Sequence, residues 1–417
     1  MSDSRAFPTP PLSTRVVREV CRRGGTGCAL AGALVGAAGA AEPVLELSNL
    51  DGSDGVALRG VALNDEAGTA VAGIGDVNGD GVDDILIGAP GVTTNGTDAG
   101  AAYVVFGDPG HGDAGPALDL NTLDGSNGFT ILGATATDRA GTAVAGAGDV
   151  NGDGVDDMLI GAPAHAADGD KYSGAAYVVF GNDTPGAFGA TLDLKDLDGG
   201  NGFKIRGASE SDFAGTAVAG AGDMNGDGLD DILIGAPGVS TVNPGAGAAY
   251  VVFGDDTPGA FGATLDLNTL DGNNGVTLLG KAVQGRAGAA VSGAGDVNDD
   301  GLADALVGAP NVDGGSSYEV DEGVAYLVLG DDAPGAFGAT LDLGGLSGNA
   351  GFSFSGVTGG DLRGTAVSGA GDINGDGVDD LLLGSPGARL GFGYTGAAMV
   401  ILGGDIPDLS IAMALCI

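Results

Sequence analysis

The hydrophobic positions of this chain fall into short runs that are separated by clusters of Gly, Asp and Asn. Residues 140–207 show the pattern as AGTAVAGAG, an acidic turn, DMLIGAP, a polar segment, GAAYVVFG, a Pro/Gly linker, TLDL, a second turn and FKIRG. Runs of this length, rich in β-branched and aromatic residues and bounded by turn residues, predict β-strands. No segment shows a convincing 3.6-residue period. The pattern therefore predicts an all-β unit of four strands, in which the outer strand carries a short side ribbon.

This unit is written five times. Its acidic turn begins at Asp76, Asp149, Asp223, Asp296 and Asp372, at intervals of 73 to 76 residues. A repeat of this period indicates a propeller, a solenoid or an array, and four meandering strands per unit predict the blades of a β-propeller with five blades.

The ends of the repeat region suggest how such a ring would close. The segment Val44 to Gly60 has the pattern of an outer strand, whereas the fifth unit ends with a third strand at Gly396 to Gly403. We expect the N-terminal segment to close the ring as the fourth strand of the last blade, which would leave no open edge. The competing interpretation is a fragment of a larger ring.

Each acidic turn also has the composition of a metal-binding loop. Asp stands at positions 1, 5 and 9, Asn at position 3 and Gly at position 6. Calcium takes six to eight oxygen ligands, and glycine permits the tight curl that would bring alternate residues together. An EF-hand needs Glu at position 12, where these loops have an apolar residue. The alternative is that Asp, Asn and Gly simply form turns.

We predict about five calcium ions, held by side chains at positions 1, 3, 5 and 9 and by the backbone carbonyl at position 7. The fourth loop departs most from the pattern, with Asp299 at position 4 and Ala303 at position 8. The predicted ligands are Asp76, Asn78, Asp80, Val82, Asp84; Asp149, Asn151, Asp153, Val155, Asp157; Asp223, Asn225, Asp227, Leu229, Asp231; Asp296, Asn298, Asp300, Leu302, Asp304; and Asp372, Asn374, Asp376, Val378, Asp380.

Composition narrows the possible partners. The chain has 56 acidic and 15 basic residues, a net charge of −41. Nucleic acid is excluded as a partner, because binding it requires clustered Lys and Arg. The three cysteines lie outside the repeats, so the sequence predicts no disulfide framework. Outside the first 41 residues no apolar run is long enough to span a bilayer.

The ends of the chain differ from the repeats. Five Arg residues precede a Gly/Ala/Leu stretch from Gly24 to Gly39, which is typical of an export signal with cleavage near Ala41; a disordered leader is the alternative. We therefore divide the chain into a signal peptide or leader (1–41), the propeller (42–404) and a tail (405–417).

The repeats resemble FG-GAP repeats, the blades of the integrin α-subunit N-terminal propeller and of bacterial surface proteins. The GAP element stands at residues 88–90, 161–163, 235–237 and 308–310, with Gly384-Ser385-Pro386 as a variant. The family's calcium loop, DxDxDGxxD, matches all five acidic turns with Asn at the second ligand position. There are two departures. The FG element lacks its aromatic residue, and integrin propellers have seven blades.

The segments that follow each GAP element vary in length and composition while their flanks barely change. In a meander they join strands 2 and 3, on the face opposite the acidic turns. Loops on a rigid scaffold commonly carry recognition, so we expect a partner to bind there through Tyr172, Tyr318 and Tyr394; spacer loops with incidental tyrosines are the alternative. The segments are Gly91–Ala99, Ala164–Ser173, Gly238–Ala246, Asn311–Glu322 and Gly387–Thr395.

These observations favour a calcium-binding extracellular β-propeller, secreted or on the cell surface, that acts as an adhesion or ligand-binding module for an extracellular protein or glycan. Calcium would be structural. Catalysis is not expected, because His111 and His165 occur in single repeats and no Ser-His-Asp arrangement is apparent. Two alternatives stay open. One is an accessory domain of a secreted hydrolase, since the resemblance extends to propellers that accompany phospholipase-type enzymes, and the other is a structural surface spacer.

Overall fold

The computed structural model describes residues 50, 55–108, 117–166, 171–313, 321–333, 335–390 and 393–404. The predicted leader and tail lie outside these residues, as does the predicted boundary at residue 41. One short strand, β1 (Ala57–Arg59), precedes the first repeat. Repeat 1 contains β2 (Ala70–Gly73), β3 (Ile85–Ala89), β4 (Ala101–Val105), β5 (Ala117–Asp119) and β6 (Gly128–Leu132).

The next three repeats place their strands in the same order, whereas repeat 5 has a two-stranded hairpin between its second and third strands. Repeat 2 contains β7 (Ala143–Gly148), β8 (Asp157–Ala162), β9 (Ala175–Val179), β10 (Thr191–Asp193) and β11 (Gly202–Arg206). Repeat 3 contains β12 (Ala217–Gly222), β13 (Asp231–Ala236), β14 (Ala248–Val252), β15 (Thr264–Asp266) and β16 (Gly275–Leu279). Repeat 4 contains β17 (Ala290–Gly295), β18 (Asp304–Ala309), β19 (Val324–Val328), β20 (Thr340–Asp342) and β21 (Gly351–Ser355). Repeat 5 contains β22 (Ala366–Gly371), β23 (Asp380–Ser385), β24 (Arg389–Leu390), β25 (Gly393–Tyr394) and β26 (Ala397–Ile401).

The helical content of the described residues is limited to single 3₁₀ turns. Four of them follow the short strands β5, β10, β15 and β20, and each buries one leucine. The turns are Leu120–Thr122, Leu194–Asp196, Leu267–Thr269, Leu343–Gly345 and Gly348–Ala350. The prediction of an all-β protein is confirmed.

Each complete repeat forms an antiparallel meander. In repeat 2 the order is β7, β8, β9 and β11, with every neighbouring pair antiparallel, and repeats 1, 3 and 4 repeat this order. Four antiparallel strands per unit are the blades of a β-propeller, as the sequence predicts.

In repeats 2, 3 and 4 the short strand pairs with the sheet of the repeat before it. Strand β10 of repeat 2 lies parallel to β6 of repeat 1, and β15 and β20 join β11 and β16 in the same way. The sequence predicted that this strand forms a side ribbon on the outer strand of its own repeat. The predicted pairing was wrong, because the strand pairs with the outer strand of the preceding repeat. Ion pairs reinforce the exchange: Arg206 Nη2 lies 2.5 Å from Asp266 Oδ2, and Lys281 Nζ lies 2.7 Å from Asp342 Oδ2.

The hydrophobic core lies between consecutive sheets. Leu86 and Val104 of repeat 1 pack against Val144, Met158 and Tyr177 of repeat 2, and equivalent clusters join each later pair of repeats. The innermost strands β2, β7, β12, β17 and β22 contact one another in series. Their small side chains permit this approach, since a Cβ atom on Gly220 of β12 would lie 2.9 Å from the Gly146 carbonyl oxygen of β7.

Aromatic rings come from the linkers rather than from the FG element. Phe188 stacks on Phe129 of the preceding repeat with ring centroids 4.4 Å apart, and Phe261 stacks on Phe203 at 4.2 Å. These rings place an aromatic contact between blades although the FG element lacks one.

The predicted closure by the N-terminal strand is not confirmed. Strand β1 lies parallel to β5, as β6 lies parallel to β10, so it occupies the position of a fourth strand placed before repeat 1. Among the described strands β1 has no other partner, and the fifth sheet consists of β22, β23 and β26 alone.

Candidate calcium loops and recognition face

The acidic turns join strands 1 and 2 of every repeat and have one local conformation. A register shift ends strand 1 in repeats 2 to 5, and the glycine that precedes position 1 has positive φ, for example 73° at Gly148. Gly154 at position 6 also has positive φ, 89°. Glycine adopts these angles without steric cost, so the loop can curl back toward strand 2.

The side chains at positions 1, 3 and 5 wrap around the backbone of the loop. In repeat 2, Asp149 Oδ1 accepts from the N–H of Asp153 at 3.1 Å, and Asp149 Oδ2 accepts from Gly154 at 2.8 Å. Asn151 Oδ1 accepts from the N–H of Asp153 at 2.9 Å, and Asp153 Oδ1 accepts from that of Val155 at 3.0 Å. The same four bonds recur in the other loops, as in repeat 1. The predicted ligands at these positions are therefore brought to one loop.

Position 9 plays a different part. Asp157 is fully buried; its Oδ2 accepts from the N–H of Val150 at 3.0 Å and its Oδ1 from that of Gly181 at 2.9 Å. Asp84, Asp231, Asp304 and Asp380 bond the equivalent N–H groups. The carboxylate thus ties the loop to the end of strand 3. The sequence assigned it a ligand role alone.

Burial dominates the electrostatics of position 9. It raises the pKa of Asp157 and Asp231 to about 8, that of Asp304 to about 7 and that of Asp84 to about 6. The two N–H donors lower the pKa, and the carboxylates at positions 5 and 1 raise it further. A cation in the loop would oppose this shift, because it favours the charged form.

The described residues contain no group of three or more His, Cys, Asp or Glu side chains gathered to hold a metal ion. One oxygen or both of each loop carboxylate points instead at backbone N–H groups, as at Asp149 and Asp157. The residues at position 7 (Val82, Val155, Leu229, Leu302 and Val378) have half-buried side chains. The calcium sites remain a prediction.

Position 8, which the sequence did not assign, connects neighbouring repeats. Asp230 Oδ2 accepts from the N–H of Asp149 in the preceding loop at 2.9 Å, and Asp156 and Asp379 reach Asp76 and Asp296 in the same way. Ala303 has no carboxylate for Asp223. We call this bond the inter-repeat latch. The glycine before position 1 leaves room for it, since a Cβ atom on Gly148 would lie 2.1 Å from Asp230 Oδ2.

The predicted recognition face lies at the other end of strand 2 from the acidic turns. Tyr172 is 48% exposed and stacks on Phe213 of the next repeat, which is 37% exposed, with ring centroids 5.7 Å apart. Tyr394 lies in β25, which pairs with β24. Tyr318 lies outside the described residues. The sequence missed Phe213, because its partner stands 41 residues earlier in another repeat.

One of the two histidines, His165, lies among the described residues. His165 is buried with Nδ1 3.0 Å from Asp138 Oδ2, and its ring meets that of Tyr177 edge-on. His111 lies outside the described residues. The His165–Asp138 pair is enclosed between repeats rather than presented at the surface.

The antiparallel blades with acidic turns between strands 1 and 2 define an FG-GAP-type β-propeller. A sequence model of the FG-GAP repeat matches residues 67–105, 140–179, 214–252 and 363–401, which are repeats 1, 2, 3 and 5. The chain therefore contains FG-GAP repeats and resembles integrin alpha chains.

Curated relatives support this similarity over part of the chain. Human phosphatidylinositol-glycan-specific phospholipase D is 32% identical over 167 residues, 39% of this chain and 18% of the relative. Integrin alpha pat-2 of Caenorhabditis briggsae is 28% identical over 257 residues, 59% of this chain and 18% of the relative. Integrin alpha-5 of Xenopus laevis is 33% identical over 175 residues, 40% of this chain and 14% of the relative. The match thus spans less than a fifth of each of these relatives.

No helix among the described residues has the length and apolar character needed to cross a membrane.

Proposed function

We propose that this chain is a calcium-stabilised extracellular propeller that acts as an adhesion or ligand-binding module, secreted or held at a cell surface. The observation that supports it best is the fivefold recurrence of one loop, in which carboxylate and amide oxygens surround a backbone that curls at glycine. The similarity to integrin alpha chains supports the same class of function.

The side chains of the loop fit calcium by their chemistry. Positions 1, 3 and 5 offer Asp, Asn and Asp oxygens, position 7 offers a carbonyl, and position 9 offers a further carboxylate, which matches the preference of calcium for oxygen ligands. A bound ion would neutralise mutual repulsion between these carboxylates. The chain's own groups would position it: the carboxylate at position 9 fixes the loop on strand 3, and the one at position 8 fixes it on the next repeat.

The role of calcium would therefore be structural and would extend across repeats. Asp149 belongs to the loop of repeat 2 and also donates its N–H to Asp230 of repeat 3. Ordering the first loop thus orders a contact of the next repeat. Extracellular calcium modules bind with dissociation constants of roughly 10⁻⁴ to 10⁻³ M, and an ion at a hundredfold excess over that constant adds about 2.7 kcal/mol per site.

Calorimetric titration of calcium into residues 42–417 tests the sites. We expect about five, and we expect Asp153→Asn to remove one. Asp83→Asn is the matched control, since it changes an exposed carboxylate at position 8 of the first loop and leaves positions 1, 3, 5 and 9 intact. The calcium proposal would be overturned if millimolar calcium gave no heat of binding and a chelator did not lower the melting temperature.

Recognition is proposed for the loops between strands 2 and 3. Tyr172 and Phe213 form an exposed stacked pair whose rings come from two repeats, and aromatic residues are enriched at the cores of protein interfaces. The partner would be an extracellular protein or glycan. The test is to probe arrays of extracellular proteins and glycans with this chain in the presence of calcium. The binding signal should be lost with Tyr172→Ala and with Phe213→Ala. It should be kept with Val242→Ala, which changes an exposed residue of another such loop. Equal signals from all variants would refute this face.

A second function has support in the similarity to phosphatidylinositol-glycan-specific phospholipase D. Under this second proposal the propeller accompanies a hydrolase and has no catalytic residues of its own. A hydrolase screen on the isolated chain, including a phospholipid substrate, should show no turnover under either proposal. Turnover that Asp138→Asn abolishes would assign catalysis to this chain.

A further inference from the structure

The two ends of the repeat array expose apolar residues that inner repeats bury. Each inner repeat has a leading face, which packs on the repeat before it, and a trailing face, which packs on the repeat after it. On the leading face, Val71 of repeat 1 is 70% exposed, whereas its equivalent Val144 in repeat 2 is 9% exposed. On the trailing face, Leu382 of repeat 5 is 39% exposed, whereas its equivalent Leu159 is fully buried.

The leading face of repeat 1 borders a large cavity. Its volume is about 1390 Å³, and its lining includes Val56 and Leu58 near β1 together with Ile85, Val105 and Phe106 of the first sheet. Met158 is the equivalent of Ile85 in repeat 2, and there it is buried against Leu86 and Val104 of the preceding repeat. The rest of the lining includes the first acidic turn and the linker 182–189 of repeat 2. Part of the cavity therefore lies where strands 2 and 3 of a preceding repeat would pack.

The trailing face of repeat 5 offers the strands that this part of the cavity lacks. Leu382 and Val400 are the equivalents of Leu86 and Val104. Among the described strands, β26 is a third strand without a fourth, and β1 is a fourth strand without a third. In repeat 1 the third and fourth strands pair antiparallel, with Ala101 opposite Leu132. The same register would place Ala397 opposite Arg59.

The two groups that form the latch are also present, one at each end of the repeat array. Asp83 of repeat 1 is the exposed equivalent of Asp156 and Asp230. Gly371 precedes Asp372 in the last loop with φ 62°, and nothing lies within 4 Å of its Cβ position, where Gly75, Gly148 and Gly295 meet the carboxylate of the next repeat. Repeat 5 thus presents the space that the latch fills elsewhere, and repeat 1 presents the carboxylate.

We infer that the trailing face of repeat 5 binds the leading face of repeat 1 in a second copy of this chain. The contact continues the four inter-repeat interfaces within the chain, adding β26 beside β1 and the Asp83 carboxylate beside the Asp372 N–H. Because the two faces differ, the association is head-to-tail, and such contacts build closed rings or open filaments according to the rotation between copies. Exposed apolar patches of this kind mark protein interaction surfaces.

Analytical ultracentrifugation over a wide concentration range, with calcium present, tests this inference on residues 42–417. We expect reversible oligomers from the wild type. Val71→Lys and Leu382→Lys each place a charge in the contact and should weaken association roughly a hundredfold, given the cost of burying an unpaired charge. Both positions are exposed in the single chain, so the fold should persist. Val242→Lys, in a loop of the middle repeat and 48% exposed, should associate like the wild type.

A mixture of the two variants distinguishes association between two copies from closure of the repeats within one chain. Val71→Lys keeps a good trailing face and Leu382→Lys keeps a good leading face, so their mixture should form a species of two chains and nothing larger. A wild type that stays monomeric at every concentration overturns the inference. If, in addition, both variants lower its melting temperature, the two faces meet within one molecule instead.

Discussion

The latch between Asp230 and the N–H of Asp149 allows two predictions about the free energy of unfolding, one of a decrease where the latch is removed and one of an increase where it is added. Asp230→Ala removes the latch between repeats 2 and 3, whereas Ala303→Asp would create it between repeats 3 and 4. The space for the second change is present: the Cβ position of Gly222 lies 2.7 Å from the Cβ of Ala303, against 2.8 Å between the Cβ position of Gly148 and the Cβ of Asp230. A carboxylate at 303 should therefore reach the Asp223 N–H.

The magnitude follows from the bond that is lost. A hydrogen bond to a charged group contributes about 1.5 to 3 kcal/mol, and the half-exposed setting of Asp230 reduces this to about 1 to 2 kcal/mol through solvent screening. We expect Asp230→Ala to lower the free energy of unfolding by that amount. Ala303→Asp should raise it by less, about 1 kcal/mol, because the new carboxylate is partly desolvated.

Urea unfolding in saturating calcium measures both changes, and hydrogen exchange locates them. In a repeat protein stability is a sum of repeat and interface contributions, so protection should fall at β7 and β12 for Asp230→Ala. Asp83→Ala is the matched control in dilute solution, because Asp83 is exposed and belongs to repeat 1, which has no preceding acidic loop among the described residues for it to bond. Equal losses from Asp83→Ala and Asp230→Ala, or a destabilised Ala303→Asp, would refute the reasoning.

Three further predictions follow from the same contacts. Gly148→Ala should destabilise by more than Gly371→Ala, because a Cβ atom at 148 meets Asp230 Oδ2 at 2.1 Å while the one at 371 meets nothing; both share the strain of positive φ, so the difference in urea midpoint reports the clash. Burial raises the pKa of Asp212 to about 6, so folding favours its protonated form. The stability that Asp212 contributes is therefore present below about pH 4 and is lost as the pH rises through about 6. Asp212→Asn should flatten the dependence of the urea midpoint on pH over this range, and an unchanged dependence would contradict the prediction. Phe203→Ala should cost about 3 to 5 kcal/mol, because Phe203 is fully buried and stacked on Phe261, whereas the exposed Phe213→Ala should cost far less in the same assay.

The sequence predicted the blades because the signals for them are local. Runs such as DMLIGAP and GAAYVVFG carry strand composition and turn boundaries within ten residues, and the period of the acidic turns sets their number. The strands of repeat 2 accordingly lie where the pattern placed them, at Asp157–Ala162 and Ala175–Val179. The outer strand at Gly202–Arg206 is also where the run FKIRG predicts it.

What the sequence could not supply depends on contacts between repeats. Asp230 bonds a residue 81 positions away, and nothing in DMNGDGLDD separates the carboxylate at position 8 from its neighbours. The short strand Thr191–Asp193 follows its own third strand along the chain and pairs with the sheet of the previous repeat. The variant Ala303 was visible as a departure, and its meaning required the latch in the other repeats.

The exchanged short strand means that the unit that was duplicated and the unit that folds do not have the same borders. A fragment cut at the end of β16 would keep the sheet of repeat 3 but remove β20, which supplies the last strand of that sheet and the Asp342 partner of Lys281. Boundaries for expressing part of this protein should therefore follow the 3₁₀ turn at Leu343–Gly345 rather than the sequence period. A fragment that ends there carries every strand that its last complete sheet contains.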